Sequence, residues 1–289
     1  MEISFAKYQA LGNAYLVVDA SAMEIGTDEI RRLCDFRTGI GSDGVLFGPS
    51  YPDDADFGLR IINPDGSEAE KSGNGLRIFC QYLYDQGLVG TQVFTVKTRG
   101  GIVRARVFPE QQLVEVSMGQ VSFDSAQIPV AGPAREILLE EIAVGQRSVQ
   151  VSCATIGNPH CVVLTDTLGT EPTEALAREL GPLLEHHLLF PNRSNVQFLR
   201  VLDRQNIQLE IWERGAGYTH ASGSSSCAAA AVAHRLGLVD ANLTVRMRGG
   251  DITIAISPDF EVTMTGPVQV VCRGELVTRE SVRLTRRNK

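Results

Sequence analysis

The same order of turns, strands and helix is written twice in this chain. Leu11-Gly12-Asn13-Ala14-Tyr15-Leu16-Val17-Val18 aligns with Ile156-Gly157-Asn158-Pro159-His160-Cys161-Val162-Val163 at a spacing of 145 residues. Ser72-Gly73 aligns with Ser222-Gly223, and Gly87-Leu88-Val89 with Gly237-Leu238-Val239, both at a spacing of 150. Thr95-Val96-Lys97-Thr98-Arg99-Gly100-Gly101 aligns with Thr244-Val245-Arg246-Met247-Arg248-Gly249-Gly250 at 149. Each string alone is an ordinary turn, but shared order at near-constant spacing is what a duplication leaves behind. Two like domains are expected. Turn formers and polar residues between Gly119 and Pro133 interrupt the strand pattern, so the boundary is placed at 120–125. That gives domains of 1–122 and 123–266. A further strand is read at 268–276, after the second copy is complete, so 267–289 is expected to return to the first domain.

Composition is compatible with that plan. Of 289 residues, 43% are hydrophobic and 21% charged, enough apolar material for two modest cores. No apolar run is long enough to span a bilayer, and the N-terminal segment lacks the basic-then-apolar plan of a signal peptide. A cytoplasmic protein with no membrane partner is expected. The net charge of −7 is dispersed along the chain, which argues against a nucleic-acid surface. Cys34, Cys80, Cys153, Cys161, Cys227 and Cys272 form no pair at metal-ligand spacing. They are read as reduced and mostly as small core residues.

Apolar alternation and β-branched runs predict strands over 93–96, 102–107, 149–151, 161–164, 196–201, 207–211 and 252–256, with turn signals close enough for mostly antiparallel sheets. Thr27-Asp28-Glu29 opens a helix with Ile30, Leu33 and Cys34 on one face. Helices are also predicted over 76–86 and 225–236, ending at Gly87 and Gly237. The small residues 228–231 suit a helix enclosed by strands. The fold class is α+β: two pseudo-symmetric domains, each a curved, mostly antiparallel sheet wrapped around one central helix.

Each central helix follows a small-residue turn, Ser72-Gly73-Asn74-Gly75 or Ser222-Gly223-Ser224-Ser225. Such turns leave N–H groups free at the positive end of the helix dipole, which suits a carboxylate; they are also ordinary N-caps. Duplicated turns offer equivalent groups to two faces of one carbon. That suits inversion of an α-carbon, one group removing the proton and the other delivering one. No lysine motif for a pyridoxal aldimine and no metal-ligand spacing is present, so no cofactor is expected.

Lys7-Tyr8-Gln9-Ala10-Leu11-Gly12-Asn13, Thr38-Gly39-Ile40-Gly41-Ser42-Asp43-Gly44, Asn63-Pro64-Asp65-Gly66-Ser67-Glu68, Gly73-Asn74-Gly75, Gly157-Asn158-Pro159-His160-Cys161 and Trp212-Glu213-Arg214-Gly215-Ala216-Gly217 together resemble the signature blocks of the diaminopimelate epimerase family. The resemblance runs from the first residues to about Leu276. It implies a cofactor-independent amino-acid racemase or epimerase, with its active site in the cleft between the two domains. Its substrate would be a small amino acid such as diaminopimelate, converted from the LL to the meso form in lysine biosynthesis, and the protein a homodimer. Carried over by position, it makes Asn63, Asn158, Asn195 and Arg214 holders of the substrate's distal end, Arg214 through its two-pronged guanidinium. Glu213 would meet the α-ammonium with Asn13 nearby, and Gly73, Asn74, Gly223 and Ser224 would cradle the α-carboxylate. Without the family blocks, these asparagines read as turn formers and Glu213-Arg214 as a solvated pair.

The chain departs from the family where the chemistry is done. The family carries a cysteine before each turn, as thiolate base and thiol acid; here the matching residues are Ser72 and Ser222. A thiol titrates at about 8.5 and lower at a helix N-terminus, whereas a serine hydroxyl needs a partner base. Gly44 stands where the family often has glutamine, and Tyr218 where it usually has glutamate. Four readings remain open at this point. Ser72 and Ser222 catalyse epimerisation with help from neighbours such as Lys71 or His220. The chemistry is one-sided, an elimination or dehydration. The protein binds an amino acid without turnover. Or both cysteines were replaced by design, against which the divergent Ser224-Ser225-Ser226 and Tyr218 argue.

Overall fold

The computed structural model describes residues 3–19, 25–169 and 172–276. It divides into two units, one formed by residues up to Val116 and from Pro267, the other by Ser117–Gly266.

In the first unit, β1 (Ile3–Ala10) and β2 (Asn13–Val18) form a hairpin. Its two loop residues, Leu11 and Gly12, both have positive φ, as the twist of a two-residue turn requires. The chain continues through α1 (Thr27–Cys34), β3 (Val45–Ser50), β4 (Phe57–Ile62), β5 (Glu68–Ala69), α2 (Gly73–Asp85), β6 (Phe94–Thr98), β7 (Gly101–Phe108) and β8 (Leu113–Gln120). β2 pairs parallel with β3 and β4 with β6; the pairs β3/β4, β4/β5, β6/β7 and β7/β8 are antiparallel.

The second unit repeats this order. After β9 (Glu140–Val144), β10 (Arg147–Thr155) and β11 (Pro159–Leu164) form the hairpin, followed by α3 (Glu174–Glu185), β12 (Asn195–Asp203), β13 (Asn206–Glu213), β14 (Gly217–Thr219), α4 (Gly223–Arg235), β15 (Asn242–Met247), β16 (Gly250–Ile256) and β17 (Glu261–Pro267). β11 pairs parallel with β12 and β13 with β15, while β12/β13, β13/β14, β15/β16 and β16/β17 are antiparallel. The correspondence extends to the outer strands. β9 pairs antiparallel with β10, and β18 (Gln269–Leu276) pairs antiparallel with β1, the equivalent of β10. The chain end therefore supplies to the first unit a strand that the second takes from its own beginning.

Burial explains why the central helices differ in sequence. In α2, Leu76, Ile78, Phe79, Cys80 and Leu83 are fully buried, while Gln81, Tyr84 and Asp85 reach outward. In α4, residues 227–233 are buried on every side, as expected of a helix enclosed by strands. Alanine there lets β10, β11, β12 and β15 pack close to the helix axis. Both helices stop alike. Gly87 and Gly237 adopt φ near +70°; Leu88 N–H reaches back to the Leu83 carbonyl and Leu238 N–H to that of Ala233, each at 3.0 Å, closing a Schellman motif.

Helix α3 adds to the sequence reading, which expected a single helix in the second domain. Gly181 and Pro182 interrupt the helical pattern near its end, and such breakers mask a helix. The duplication held the signal, because α3 occupies the place of α1 in the order of elements. The Thr173 hydroxyl caps α3 by accepting from Leu176 N–H at 3.1 Å, and Leu176, Ala177, Leu180 and Leu184 pack inward. Gly181 is required by close approach: a Cβ there would stand 2.6 Å from Cγ of Trp212. The residue before the Glu213-Arg214 pair is thus seated directly on α3. Among the described residues no helix is long and apolar enough to cross a membrane. Cys34, Cys80, Cys153, Cys161 and Cys227 are buried and Cys272 is exposed, all as free thiols.

Candidate active site

In the first unit, Ser72 is the N-cap of α2, with extended backbone and an Oγ that accepts from Gly75 N–H at 3.1 Å. Its carbonyl takes Leu76 N–H at 2.8 Å. The N–H groups of Gly73 and Asn74 are then the ones that the helical ladder cannot use. The buried Asn74 amide is fixed from both ends: its Oδ1 accepts from Arg77 at 2.9 Å and its Nδ2 donates to Asn13 Oδ1 at 3.3 Å. Arg77 itself is fully buried, which ties the orientation of Asn13 and Asn74 to the core. Two residues beyond Asn13, on the same face of β2, the Tyr15 hydroxyl lies 3.3 Å from Ser72 Oγ. Asn63 ends β4 half-buried in a tight turn; its Nδ2 donates to Ser67 Oγ at 3.0 Å and its N–H to the Ser67 carbonyl at 2.8 Å.

In the second unit, Ser222 caps α4 by accepting from Ser225 N–H at 3.4 Å, and its carbonyl takes Ser226 N–H at 3.1 Å. Gly223 and Ser224 thereby match Gly73 and Asn74. The Ser222 side chain lies close enough to the Glu213 carboxyl to favour its charged form. Burial pushes the Glu213 carboxyl up from its ordinary range, and Ser222 opposes that rise.

The segment carrying Glu213 and Arg214 is braced on two sides. Glu185, buried at the end of α3, accepts from the Trp212 indole at 2.7 Å, from Gly215 N–H at 2.9 Å and from Arg193 at 3.3 Å. Donors converging on one carboxylate make strong, directional ties. From the other side, Asn195 Oδ1 accepts Arg214 N–H at 3.0 Å while its Nδ2 donates to the Pro159 carbonyl at 2.9 Å. Asn195 thus locks the Asn158 turn to the Glu213-Arg214 segment. The Arg214 side chain is exposed, and one guanidinium N–H reaches the Asn192 carbonyl at 3.2 Å.

Asn158 continues into a buried polar string. Gln197 Nε2 donates to Nδ1 of His160 at 3.1 Å and to Ser225 Oγ at 3.0 Å. His160 then carries its proton on Nε2 and donates it to Asn158 Oδ1, 2.9 Å away. Burial, helped by the nearby Arg214 charge and opposed by the Gln197 contact, lowers the His160 pKa to about 3. The fold therefore holds the neutral ring, whereas the unfolded chain takes up a proton near pH 6.5. This stabilisation is complete above pH 6.5 and is lost as pH falls toward 3. Urea midpoints measured across pH 7 to 4 are expected to fall, and His160→Gln to flatten that slope. Parallel slopes in the two proteins would show that His160 is not responsible.

In the first unit Asn13 and Asn74 are joined at the first turn of α2, whereas Asn63 is bonded within its own turn; in the second, Asn195 joins the Asn158 turn to the Glu213-Arg214 segment. The His220 and Tyr218 rings meet edge-on with centroids 5.7 Å apart, and the Tyr218 hydroxyl donates to Glu210. Tyr15, Glu185 and Gln197 were not among the residues expected. Tyr15 and His160 occupy matching repeat positions two residues after Asn13 and Asn158, a signal that period-two alternation makes readable. For Glu185 no local signal exists.

Comparison with known proteins finds relatives over nearly the whole chain. The family model described as diaminopimelate epimerase matches twice, over residues 5–123 and 152–271. The chain is 52% identical to diaminopimelate epimerase 2 of a Nostoc species over 96% of each chain. It is 40% identical to the diaminopimelate epimerase of Moorella thermoacetica over 94% of this chain and 98% of that one. Among solved structures, a hydroxyproline epimerase from Agrobacterium vitis superposes with a TM-score of 0.70 at 16% identity, covering 95% of this chain and 92% of that one. A Bacillus anthracis phenazine biosynthesis protein of the PhzF family gives 0.65 at 16%, covering 96% and 100%. At such identities these two show the shared fold alone. With its duplicated capped helices, and a family match spanning both copies, the chain belongs to the diaminopimelate epimerase family.

Proposed function

We propose that this chain is an isomerase that inverts an amino-acid α-carbon by two-sided proton transfer, with LL-diaminopimelate converted to the meso form in lysine biosynthesis. The observation that carries this reading is the equivalence of Ser72 and Ser222. Each caps a central helix, and each has a protonatable group beside it. The names of relatives at 52% and 40% identity support the substrate.

In this reading the N–H groups of Gly73, Asn74, Gly223 and Ser224 take the α-carboxylate. They stabilise the negative charge that grows there as the α-proton leaves, and so make that proton acidic enough to remove. Glu213, which the family resemblance puts at the α-ammonium, takes a different role here: it accepts the Ser222 proton as Ser222 removes that of the substrate, and in the absence of a thiol it is the group that turns a hydroxyl into a base. Asn63, Asn158, Asn195 and Arg214 hold the distal amino-acid end, and Asn13 lies near the α-ammonium. The proton lost and the proton gained balance, so no step calls on pyridoxal or a metal. A cytoplasmic homodimer is part of the same proposal.

The test is incubation of the protein with LL-diaminopimelate in deuterated water, followed by NMR and circular dichroism. α-Deuterium incorporation with formation of the meso isomer is the expected outcome. Release of a keto acid would instead establish elimination. Saturable binding without exchange would leave an amino-acid-binding protein.

A further inference from the structure

The two serines have different partners, and this asymmetry is unexplained by a simple duplicated mechanism. Ser222 has the Glu213 carboxyl close enough to respond to it, and a carboxyl can take a proton only when ionised. Ser72 meets a phenol: the Tyr15 hydroxyl lies 3.3 Å from its Oγ, and the Tyr15 side chain is 6% exposed. The contact is built into the fold. Tyr15 lies on β2 in register with Tyr8 of β1, and its ring lies against Gly44. A Cβ at position 44 would stand 2.7 Å from Cε1 of Tyr15 and 2.6 Å from the Ile62 carbonyl. The backbone there is anchored by Leu16 N–H on the Gly44 carbonyl at 3.1 Å and by Asp43 N–H on the Ala14 carbonyl at 2.7 Å, so it cannot retreat easily. The absence of a side chain at Gly44 therefore admits the ring that brings a phenol to Ser72. Gly75 N–H already occupies one lone pair of Ser72 Oγ. A second donor at that oxygen would stabilise negative charge on it.

Resting on the epimerase reading above, we propose that Tyr15 is the proton-supplying partner of Ser72, so that the first half-site chiefly delivers the α-proton and the second chiefly removes it. A phenol is a much stronger acid than an aliphatic alcohol. As the Ser72 O–H bond breaks and its proton forms the new Cα–H bond, the Tyr15 O–H proton moves to Ser72 Oγ, leaving the electron pair and negative charge on the phenolate. The proton taken from the substrate ends on the Ser222–Glu213 pair. Exchange with water returns one proton to Tyr15 and takes one from Glu213, which resets the enzyme. Tyr15 acts through Ser72 and is a positioning and proton-relay residue.

The experiment compares exchange with inversion in wild type and Tyr15→Phe, starting from LL- and from meso-diaminopimelate in deuterated water. Phenylalanine keeps the ring against Gly44 and removes only the hydroxyl. For one configuration at the reacting carbon, α-deuterium uptake without inversion is expected to persist while inversion falls on the order of tenfold. For the other, both are expected to fall together. In a Ser72→Cys background, where the thiol supplies its own proton, Tyr15→Phe is expected to change inversion less than twofold; this second comparison remains informative if the single variant is poorly folded. Equal loss of exchange and inversion for both configurations, or no change in either, would overturn the role of Tyr15 while leaving the epimerase reading intact. Absence of exchange and inversion in wild type would overturn both.

Discussion

Replacing Ser72 and Ser222 together by cysteine is expected to raise epimerisation of LL-diaminopimelate by about 10²-fold or more. The geometry for a thiolate is already present. Both positions are N-caps whose side chains accept a backbone N–H, from Gly75 and from Ser225. A helix N-terminus favours a negative sulfur, which lowers the thiol pKa toward neutrality. Serine gains from the same field but starts from a far less acidic hydroxyl. Either single replacement should give less than the pair, because inversion needs one competent group for each face of the carbon. Rates followed by circular dichroism on wild type, the two single variants and the double variant make the comparison. A folded double variant with no gain would mean that the surrounding residues do not form a diaminopimelate cradle, and the proposed substrate would have to be abandoned.

Glu213→Gln is expected to lower the epimerase rate by about 10²–10⁴-fold while making the protein more stable at neutral pH. Glutamine keeps the size of the side chain but cannot take the Ser222 proton. The stability change follows from the direction of the Glu213 shift. Burial raises its folded-state pKa, so the fold favours the protonated acid. The favourable contribution is complete below the ordinary glutamate range, about 4.3, and is lost as pH rises through the raised value. At pH 7 the buried acid is thus a burden that the neutral amide removes. Melting temperatures of the variant should exceed those of wild type at pH 7 and converge with them toward pH 4. Wild-type activity should fall over the same window as acid protonates the base. A variant that keeps wild-type turnover would rule out Glu213 as the acceptor for Ser222.

Asymmetry between the half-sites gives these two substitutions different meanings. The backbone on either side of Glu213 is held by a frame that includes Glu185, Trp212 and Asn195. Tyr15 owes its position to a missing side chain at Gly44. One half-site is built by hydrogen-bonded bracing and the other by packing.

The sequence by itself determined the features that depend on neighbours along the chain. Ser72 and Ser222 are legible as caps because an N-cap bonds within its own first turn, and Gly87 and Gly237 are legible as stops because a left-handed C′ residue favours glycine. Strands such as those over 102–107, 196–201, 207–211 and 252–256 follow from period-two alternation, and the hairpin turns at Asn13 and Asn158 from their matched strings. Helix α3 is the exception, since Gly181-Pro182 broke a pattern that the equivalence with α1 would have restored. Which side chain meets each serine was decided only by the tertiary structure. Tyr15 is 57 residues from Ser72, and their meeting requires β2 to pass the first turn of α2 beside a glycine. Glu185 is 27 residues from Trp212, and only the packing of α3 on β13 brings them together. Local periodicity fixes which face of an element is apolar, but the pairing of polar groups from separate elements depends on their register and crossing, which no local pattern encodes. Hence the two serine caps could be read along the chain, while the groups beside them, a phenol near Ser72 and a carboxyl near Ser222, could not.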